Sequence, residues 1–330
     1  MKEVRASPLQ LNVKELVRRT GSGSLEAENT NKLTLPKVLW CRHKGNGKNC
    51  CFKHMAGFWK HPLTGKPSPP TPCQDDLSML VAKHHWVWNN KSKKIGITAG
   101  ALDIFAFNAV TSYAQLGGGE IMLVAGNRME HAVSLMDRFR PILTGEPNPY
   151  IKGTGIYKDL VEEETSSRLK LSNGVEINAY PSNASSVVGR PLVRGIYWDE
   201  IAYSGIIDDK PNFNNLFANA SNTRADFLGT STPNGKRGIF YEKAMAIQGL
   251  IEEIPSAENP IDLGWYYIEY PYELGLMAGL LDQQTIDKAM QDPMIDFDQL
   301  YRCKFTTPKG AFITEDLIRA MEADYAMEDI

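Results

Sequence analysis

The chain has 330 residues, of which 42% are hydrophobic and 23% are charged, and its formal net charge is −3. These values are ordinary for a globular protein with one large or two smaller domains, and they exclude a globally basic nucleic-acid binder. The sequence has no apolar run long enough to span a bilayer, no apolar signal core in MKEVRASPLQ, and an odd number of cysteines, five. We therefore expect a cytosolic protein that does not enter a membrane.

Residues 1–71 read as a polar arm followed by an irregular segment rich in Cys, His and Pro. Within CRHKGNGKNCCFKH, a Cys-x-x-His pair suggests zinc ligation, but the spacing is irregular and no second Cys-x-x-Cys follows. We therefore favour buried thiols and solvated histidines over a zinc site. The residues concerned are Cys41, Cys50, Cys51 and His54.

From residue 72 to about residue 250, helical and strand patterns alternate, which predicts an α/β fold with a mostly parallel sheet. The predicted helices are CQDDLSMLVAKHH, TAGALDIFAFNAVTSYAQL, RMEHAVSLMDRFRPIL, NFNNLFANA and GIFYEKAMAIQ. The predicted strands are HHWVWN, EIMLVAG, both halves of RLKLSNGVEINAY around its Asn-Gly turn, GIYWDE and ADFLGT. Residues 251–330 are expected to form a C-terminal subdomain or linker with one strand, WYYIEYP, and further helices.

The stretch NKSKKIGIT lies between a predicted strand and a predicted helix, where backbone N–H groups and the helix dipole favour anions. The usual phosphate loop is GxxxxGK[ST]; here Gly96 and Thr98 fill its later Gly and hydroxyl positions, and Ile97 stands where it has lysine. An ammonium on a flexible stem can reach phosphates from the loop's entry instead. The candidates are Lys91, Lys93 and Lys94. A lysine-rich surface turn capped by Thr98 is the alternative.

The strand GIYWDE ends in two adjacent carboxylates, Asp199 and Glu200. Because neighbouring like charges repel, this pair points to a bound cation and a water to be activated. Asp199 and the hydroxyl of Thr98 would hold Mg²⁺, and Glu200 would polarise the attacking water. A strand-end pair making helix-cap bonds, with Thr98 as a plain N-cap, is the alternative.

The order of these motifs resembles the ATPase domain of the large terminase subunit of tailed viruses, the motor that packages DNA into a capsid. KSKKIGIT resembles that family's deviant Walker A loop, whose basic residue is moved to the loop's start. IYWDE is similar to its Walker B strand and GTSTP to its coupling motif. The resemblance spans about residues 72–315 and implies a RecA/ASCE-like P-loop NTPase fold, a mostly parallel sheet with flanking helices.

The resemblance also implies roles for individual residues. The ATP-binding loop would comprise Lys91, Ser92, Lys93, Lys94, Ile95, Gly96, Ile97 and Thr98, with Lys91 at the family's shifted basic position. The coupling residues Thr230, Ser231 and Thr232 would sense the γ-phosphate, or form an ST-turn before Pro233. PTPCQDDL resembles the family's adenine-reading element, so Gln74 is either an adenine reader or a first-turn helix residue.

SSVVGRP is similar to the family segment that carries a catalytic arginine. Arg190 would then be an arginine finger donated to a neighbouring subunit, with Arg194 as its competitor. An ordinary surface arginine is the alternative for both. Lys236 and Arg237 either contact DNA phosphates or belong to a solvated turn.

As a whole, the resemblance implies Mg²⁺-dependent ATP hydrolysis that drives double-stranded DNA into a procapsid in the host cytoplasm. The expected partners are DNA, other copies in a homo-oligomeric ring, the small terminase subunit and the portal protein. FDQLYRCKFTTPKGAFI resembles the link before the family's nuclease domain, so no nuclease activity is expected of residues 1–330. The alternatives are a helicase-like P-loop ATPase and a non-hydrolysing nucleotide-binding assembly subunit.

Overall fold

The computed structural model describes residues 70–144, 160–183, 185–205, 209–249 and 264–307. The stretch CRHKGNGKNCCFKH, for which zinc ligation is one interpretation, lies outside the described residues, as do residues 308–330 of the expected C-terminal subdomain or linker. No helix in the described part of the chain is both long and apolar enough to cross a bilayer.

The helices and strands alternate along most of the described chain. The helices are α1 Pro72–His84, α2 Ile97–Val110, α3 Ser112–Gln115, α4 Met129–Thr144, α5 Asp209–Thr223, α6 Gly238–Ile247, α7 Tyr272–Met277, α8 Gln283–Gln291 and α9 Phe297–Tyr301. The strands are β1 Trp86–Lys91, β2 Gly119–Ala125, β3 Val161–Glu164, β4 Arg168–Leu171, β5 Val175–Pro181, β6 Val193–Asp199, β7 Asp226–Ser231 and β8 Tyr266–Tyr270. This confirms the predicted alternation.

The eight strands form one sheet in the order β3-β4-β5-β2-β6-β7-β1-β8. The pairings from β5 to β8 are parallel, and the edge pairings of β3 with β4 and β4 with β5 are antiparallel. The α/β fold with a mostly parallel sheet is therefore as predicted. Because β8 pairs with β1, the sheet extends past the boundary expected at residue 250.

Two hydrophobic cores cover the two faces of this sheet. Buried residues of α1, α2 and α4 pack on one face, and buried residues of α5 and α6 pack on the other. The chain is thus a three-layer sandwich whose apolar interior strands carry polar residues at their ends.

The long helix predicted over TAGALDIFAFNAVTSYAQL is in fact two helices, α2 and α3, separated at Thr111. The Thr111 hydroxyl donates to the carbonyl of Phe107 at 2.6 Å, a back-bond that competes with regular helix geometry. The hairpin predicted at Asn173-Gly174 is confirmed between β4 and β5. Gly174 has φ of 84°, and the Asn173 side chain accepts from the N–H of Val175 at 3.1 Å.

Candidate active site

The polar strand ends meet at one edge of the sheet. Strand β7 lies between β1 and β6, and all three are parallel, so their carboxyl ends lie side by side. The loop of residues 91–98 begins at the last residue of β1. The two carboxylates lie at and just after the end of β6, and the coupling residues lie at and just after the end of β7. Ligands of open α/β sheets bind at the carboxyl ends of the strands. This side of the sheet is called here the nucleotide edge, after the ATP site that the sequence predicts there, and the side at the amino ends of the same strands is called the opposite edge.

The loop after β1 has a backbone suited to an anion. Lys94 and Gly96 both have left-handed φ values, 63° and 78°, and the 14-residue helix α2 begins directly after Gly96. A Cβ at Gly96 would lie 3.1 Å from Nε2 of Gln74 and 3.2 Å from Cδ1 of Leu280. The left-handed backbone therefore favours glycine at position 96, and a larger residue would also press on these two side chains.

Two buried isoleucines explain why this loop has no lysine at position 97, where the usual phosphate loop has one. Ile95 and Ile97 are almost completely buried in the core under the loop, at 1% and 2% exposed. A lysine at position 97 would place its charge in that core. The side chain of the next residue, Thr98, is only partly buried and contacts the carboxylate of Asp199.

Lys91 contacts the carboxylate pair directly. Its Nζ lies 2.6 Å from Oε1 of Glu200, and its side chain is only 7% exposed. Burial by itself would lower the pKa of Lys91, but the charges of Glu200 and Asp199 outweigh it and raise the pKa above its ordinary value. Lys93 and Lys94, in contrast, are exposed. Of the three candidate lysines, Lys91 is therefore the one bonded to the carboxylate pair.

Asp199 lies between two hydroxyl groups. Its Oδ2 accepts from Oγ1 of Thr98 at 3.1 Å, and its Oδ1 accepts from Oγ1 of Thr230 at 2.8 Å. Within the described residues there is no cluster of three His, Cys, Asp or Glu side chains that could enclose a metal. The Thr98 hydroxyl and the Asp199 carboxylate nevertheless fit Mg²⁺. This ion prefers oxygen ligands, and in nucleotide sites water molecules and phosphate oxygens supply most of them.

Glu200 has an unusual backbone for its residue type. It adopts the left-handed conformation, with φ of 51° and ψ of 47°. Its Oε1 is held by Lys91, and its Oε2 accepts from the N–H of Thr232 at 3.4 Å. Such strain persists only where the surroundings hold it, and it is concentrated at functional sites.

The three coupling residues are all buried and all border the carboxylate pair. Ser231 Oγ accepts from the N–H of Ala202, in the turn after Glu200, at 3.1 Å. Thr232 Oγ1 is buried and has no hydrogen-bond partner within the described residues. The end of β7 is therefore bonded to both carboxylates and retains one free hydroxyl beside them.

The side chain of Gln74 is hydrogen-bonded to the loop after β1. Its Oε1 accepts from the N–H of Thr71 at 2.8 Å in a capping box at the start of α1, and its Nε2 donates to the carbonyl of Gly96 at 2.8 Å. An adenine would have to compete with these bonds for the amide.

The two candidate arginines lie in different surroundings. Arg194 donates to the carbonyls of Gly118 and Leu116, at 2.9 Å each, at the opposite edge of the sheet. Arg190 donates to the carbonyl of Ser186 at 3.3 Å and lies 4.7 Å from the ring centre of Tyr180, while its Nε is buried without a partner in the described chain. Lys236 and Arg237 are exposed.

Sequence reasoning missed the contribution of β8 and of the segment after it. The carbonyl of Tyr270 accepts from the N–H of Ser92 at 2.9 Å, and the carbonyl of Leu300 accepts from the N–H of Lys93 at 3.0 Å. Oε1 of Gln299 accepts from the N–H of Gly235 at 2.7 Å. Main-chain carbonyls carry no sequence signal, so no pattern could have indicated the first two.

Solved structures of phage terminases share this fold. The large terminase ATPase domain of Thermus phage P74-26 aligns over 78% of this chain and 98% of its own, with TM-score 0.53 and 14% identity. An arginine-to-alanine mutant of that domain gives TM-score 0.55 and 15% identity, over 78% of this chain and 99% of its own. The large terminase of bacteriophage HK97 gives TM-score 0.54 and 15% identity over 77% of this chain, which covers 54% of that protein. No family model and no curated protein matches the sequence.

At these identities the likeness concerns the fold, and it agrees with the resemblance found in the motifs. The chain has the fold of the large terminase ATPase domains.

Proposed function

We propose that this chain is the ATP-hydrolysing motor part of a large terminase, which drives double-stranded DNA into a procapsid. The observation that carries the proposal is the meeting of Thr98, Asp199, Lys91 and Glu200 at the end of parallel strands, beside a glycine-bearing helix start. The terminase fold of the solved structures agrees with it.

In this proposal the loop's backbone N–H groups and the N-terminus of α2 bind the phosphates of ATP. Thr98 and Asp199 hold Mg²⁺, which when bound neutralises charge on the phosphate oxygens. Lys91 contributes a fixed positive charge at the entry of the loop, since its raised pKa keeps it protonated. Glu200 orients and polarises the attacking water, and Thr230, Ser231 and Thr232 report the state of the site to the rest of the chain.

The remaining assignments extend the same proposal. Arg190 acts as an arginine finger in the ATP site of a neighbouring subunit. Gln74 hydrogen-bonds the adenine after its side chain has released the carbonyl of Gly96. Lys236 and Arg237 contact DNA phosphates. The working assembly is a homo-oligomeric ring at the portal, with a small terminase subunit, in the host cytoplasm. Residues 72–250 carry the core chemistry, with residues 251–330 as a subdomain or linker.

The test is phosphate release from ATP by the purified chain, with and without Mg²⁺ and with and without double-stranded DNA. We expect Mg²⁺-dependent turnover that increases with DNA. ATP binding without turnover would favour the non-hydrolysing assembly subunit, and ATP-driven strand separation would favour the helicase-like alternative. A folded chain that neither binds nor hydrolyses ATP would refute all three.

A further inference from the structure

The short helix α9 is bonded to both loops that surround Glu200. Its Gln299 side chain accepts from the N–H of Gly235, in the loop after β7, at 2.7 Å. The carbonyl of the next residue, Leu300, accepts from the N–H of Lys93, in the phosphate loop, at 3.0 Å. Two consecutive residues thus join two loops that are far apart in sequence.

The loop held by Gln299 is the one that fixes Glu200. Residues 232–235, called here the coupling loop, give the N–H of Thr232 to Oε2 of Glu200. The carbonyl of Pro233 accepts from the hydroxyl of Tyr203 at 3.3 Å, and the Asn234 side chain donates to the carbonyl of Ala202 at 3.1 Å. The coupling loop therefore braces both the carboxylate and the turn that follows it.

Gly235 depends on Gln299 for its hydrogen bond. Gly235 is buried and left-handed, with φ of 79°, and Gln299 is the acceptor of its N–H. A buried N–H group without an acceptor is unfavourable, so loss of the Gln299 oxygen would release this end of the coupling loop. Oγ1 of Thr306 lies 3.3 Å from the same oxygen and 2.6 Å from Oδ2 of Asp296.

We propose that Gln299 is a positioning residue for Glu200: its carboxamide oxygen fixes the coupling loop at a set distance from the phosphate loop and so aims the carboxylate. This rests on the proposed ATPase function. Gln299 touches neither nucleotide nor water in this proposal, and it acts through Gly235 and Thr232.

The experiment compares three variants of the full chain. Gln299→Met keeps the length of the side chain but has no acceptor, whereas Gln299→Glu keeps the acceptor oxygen. Gln284→Ala, at an exposed glutamine of α8, is the matched control. We measure kcat and KM for ATP, the melting temperature, and amide hydrogen exchange of residues 199–203 and 232–236 without nucleotide.

We expect Gln299→Met to lower kcat by about 10–100-fold with KM within about twofold, because misplacing a catalytic group affects the chemical step. Its amide exchange should be faster in both segments, while Gln299→Glu and Gln284→Ala stay near the parent chain. Equal losses in the Met and Glu variants, or a normal kcat in the Met variant, would overturn the proposal.

The exchange measurement separates this proposal from the proposed function. If the parent chain hydrolyses no ATP, the function fails, and unchanged exchange in Gln299→Met would then overturn the positioning claim as well. If Gln299→Met does not fold, Gln299→Asn, whose amide ends one methylene short, should show the same faster exchange and a lower kcat. Exchange like that of the parent chain in Gln299→Asn would count against the proposal.

Discussion

Each edge of the central sheet has a buried carboxylate, Asp199 at the nucleotide edge and Asp226 at the opposite edge, but their surroundings differ. At the nucleotide edge, Asp199 and Glu200 are adjacent, and Glu200 has a left-handed backbone and a buried lysine partner. At the opposite edge, Asp226 stands alone at the start of β7, where its two oxygens contact Nδ1 of His85 at 2.6 Å and the hydroxyl of Tyr113 at 2.7 Å.

The two edges differ in whether their polar groups all have hydrogen-bond partners. Around Asp226, both carboxylate oxygens have partners in fixed positions, and Arg194 likewise satisfies carbonyls at the end of α3 on this edge. At the nucleotide edge, Thr232 Oγ1 is buried without a partner in the described chain, and the helix start at Gly96 has no side-chain cap. The carboxylate at the opposite edge is thus fully bonded, as expected for a structural role. The nucleotide edge has polar groups without partners among the described residues, as expected for a site that binds a ligand.

The largest expected effect concerns the two arginines. If Arg190 acts on a neighbour's site, Arg190→Ala should lower turnover by about 10³–10⁵-fold, because a guanidinium stabilises charge on the transferring phosphoryl group. Arg194→Ala should lower stability and leave kcat nearly unchanged. Mixing Arg190→Ala with Glu200→Gln chains should restore part of the turnover, measured as phosphate release. A mixture that stays inactive, although both variants assemble and bind nucleotide, would refute action between subunits.

The second prediction concerns Glu200 itself. Glu200→Gln removes the base but keeps the side chain's size, so turnover should fall by about 10²–10⁴-fold while Mg·ATP binding persists. Binding by calorimetry and turnover by phosphate release give the two measurements. The control is Glu273→Gln, at an exposed glutamate in the first turn of α7. Near-normal turnover in Glu200→Gln would show that Glu200 is not the catalytic base. The carboxylates at the two edges would then no longer differ in function.

The third prediction ranks the lysines of the loop. Lys91→Ala should weaken ATP binding by about tenfold or more, since it removes a buried charge beside the carboxylates. Lys93→Ala and Lys94→Ala are matched controls in the same loop, and their exposed side chains should matter less. Binding is measured by calorimetry for all three. Equal and small losses would mean that the loop is only a basic turn.

Much of the fold was predictable because burial leaves a periodic trace in the sequence. The strand GIYWDE, the Asn173-Gly174 hairpin and the alternation of helices and strands were all visible in this way. Long-range hydrogen bonds leave no such trace. Lys91 and Glu200 are 109 positions apart, and Gly235 and Gln299 are 64 apart. Their meeting depends on the sheet order, which becomes known only once β7 is placed between β1 and β6.

The smallest expected effect tests the opposite edge. Tyr113 is 2% exposed, and its hydroxyl donates to Oδ2 of Asp226 at 2.7 Å. Tyr113→Phe keeps the ring but leaves that carboxylate oxygen short of a donor, so the free energy of unfolding should fall by about 1–3 kcal/mol. Urea unfolding gives this value, and phosphate release gives kcat, which should stay within about twofold because no bond at the nucleotide edge is lost. The matched control is Tyr241→Phe in α6, where the ring packs against Phe305 and loss of the hydroxyl should change stability by less than about 0.5 kcal/mol. A large drop in kcat with an intact fold would show that Asp226 is coupled to the site across the sheet. The two edges would then have to be treated as one functional unit.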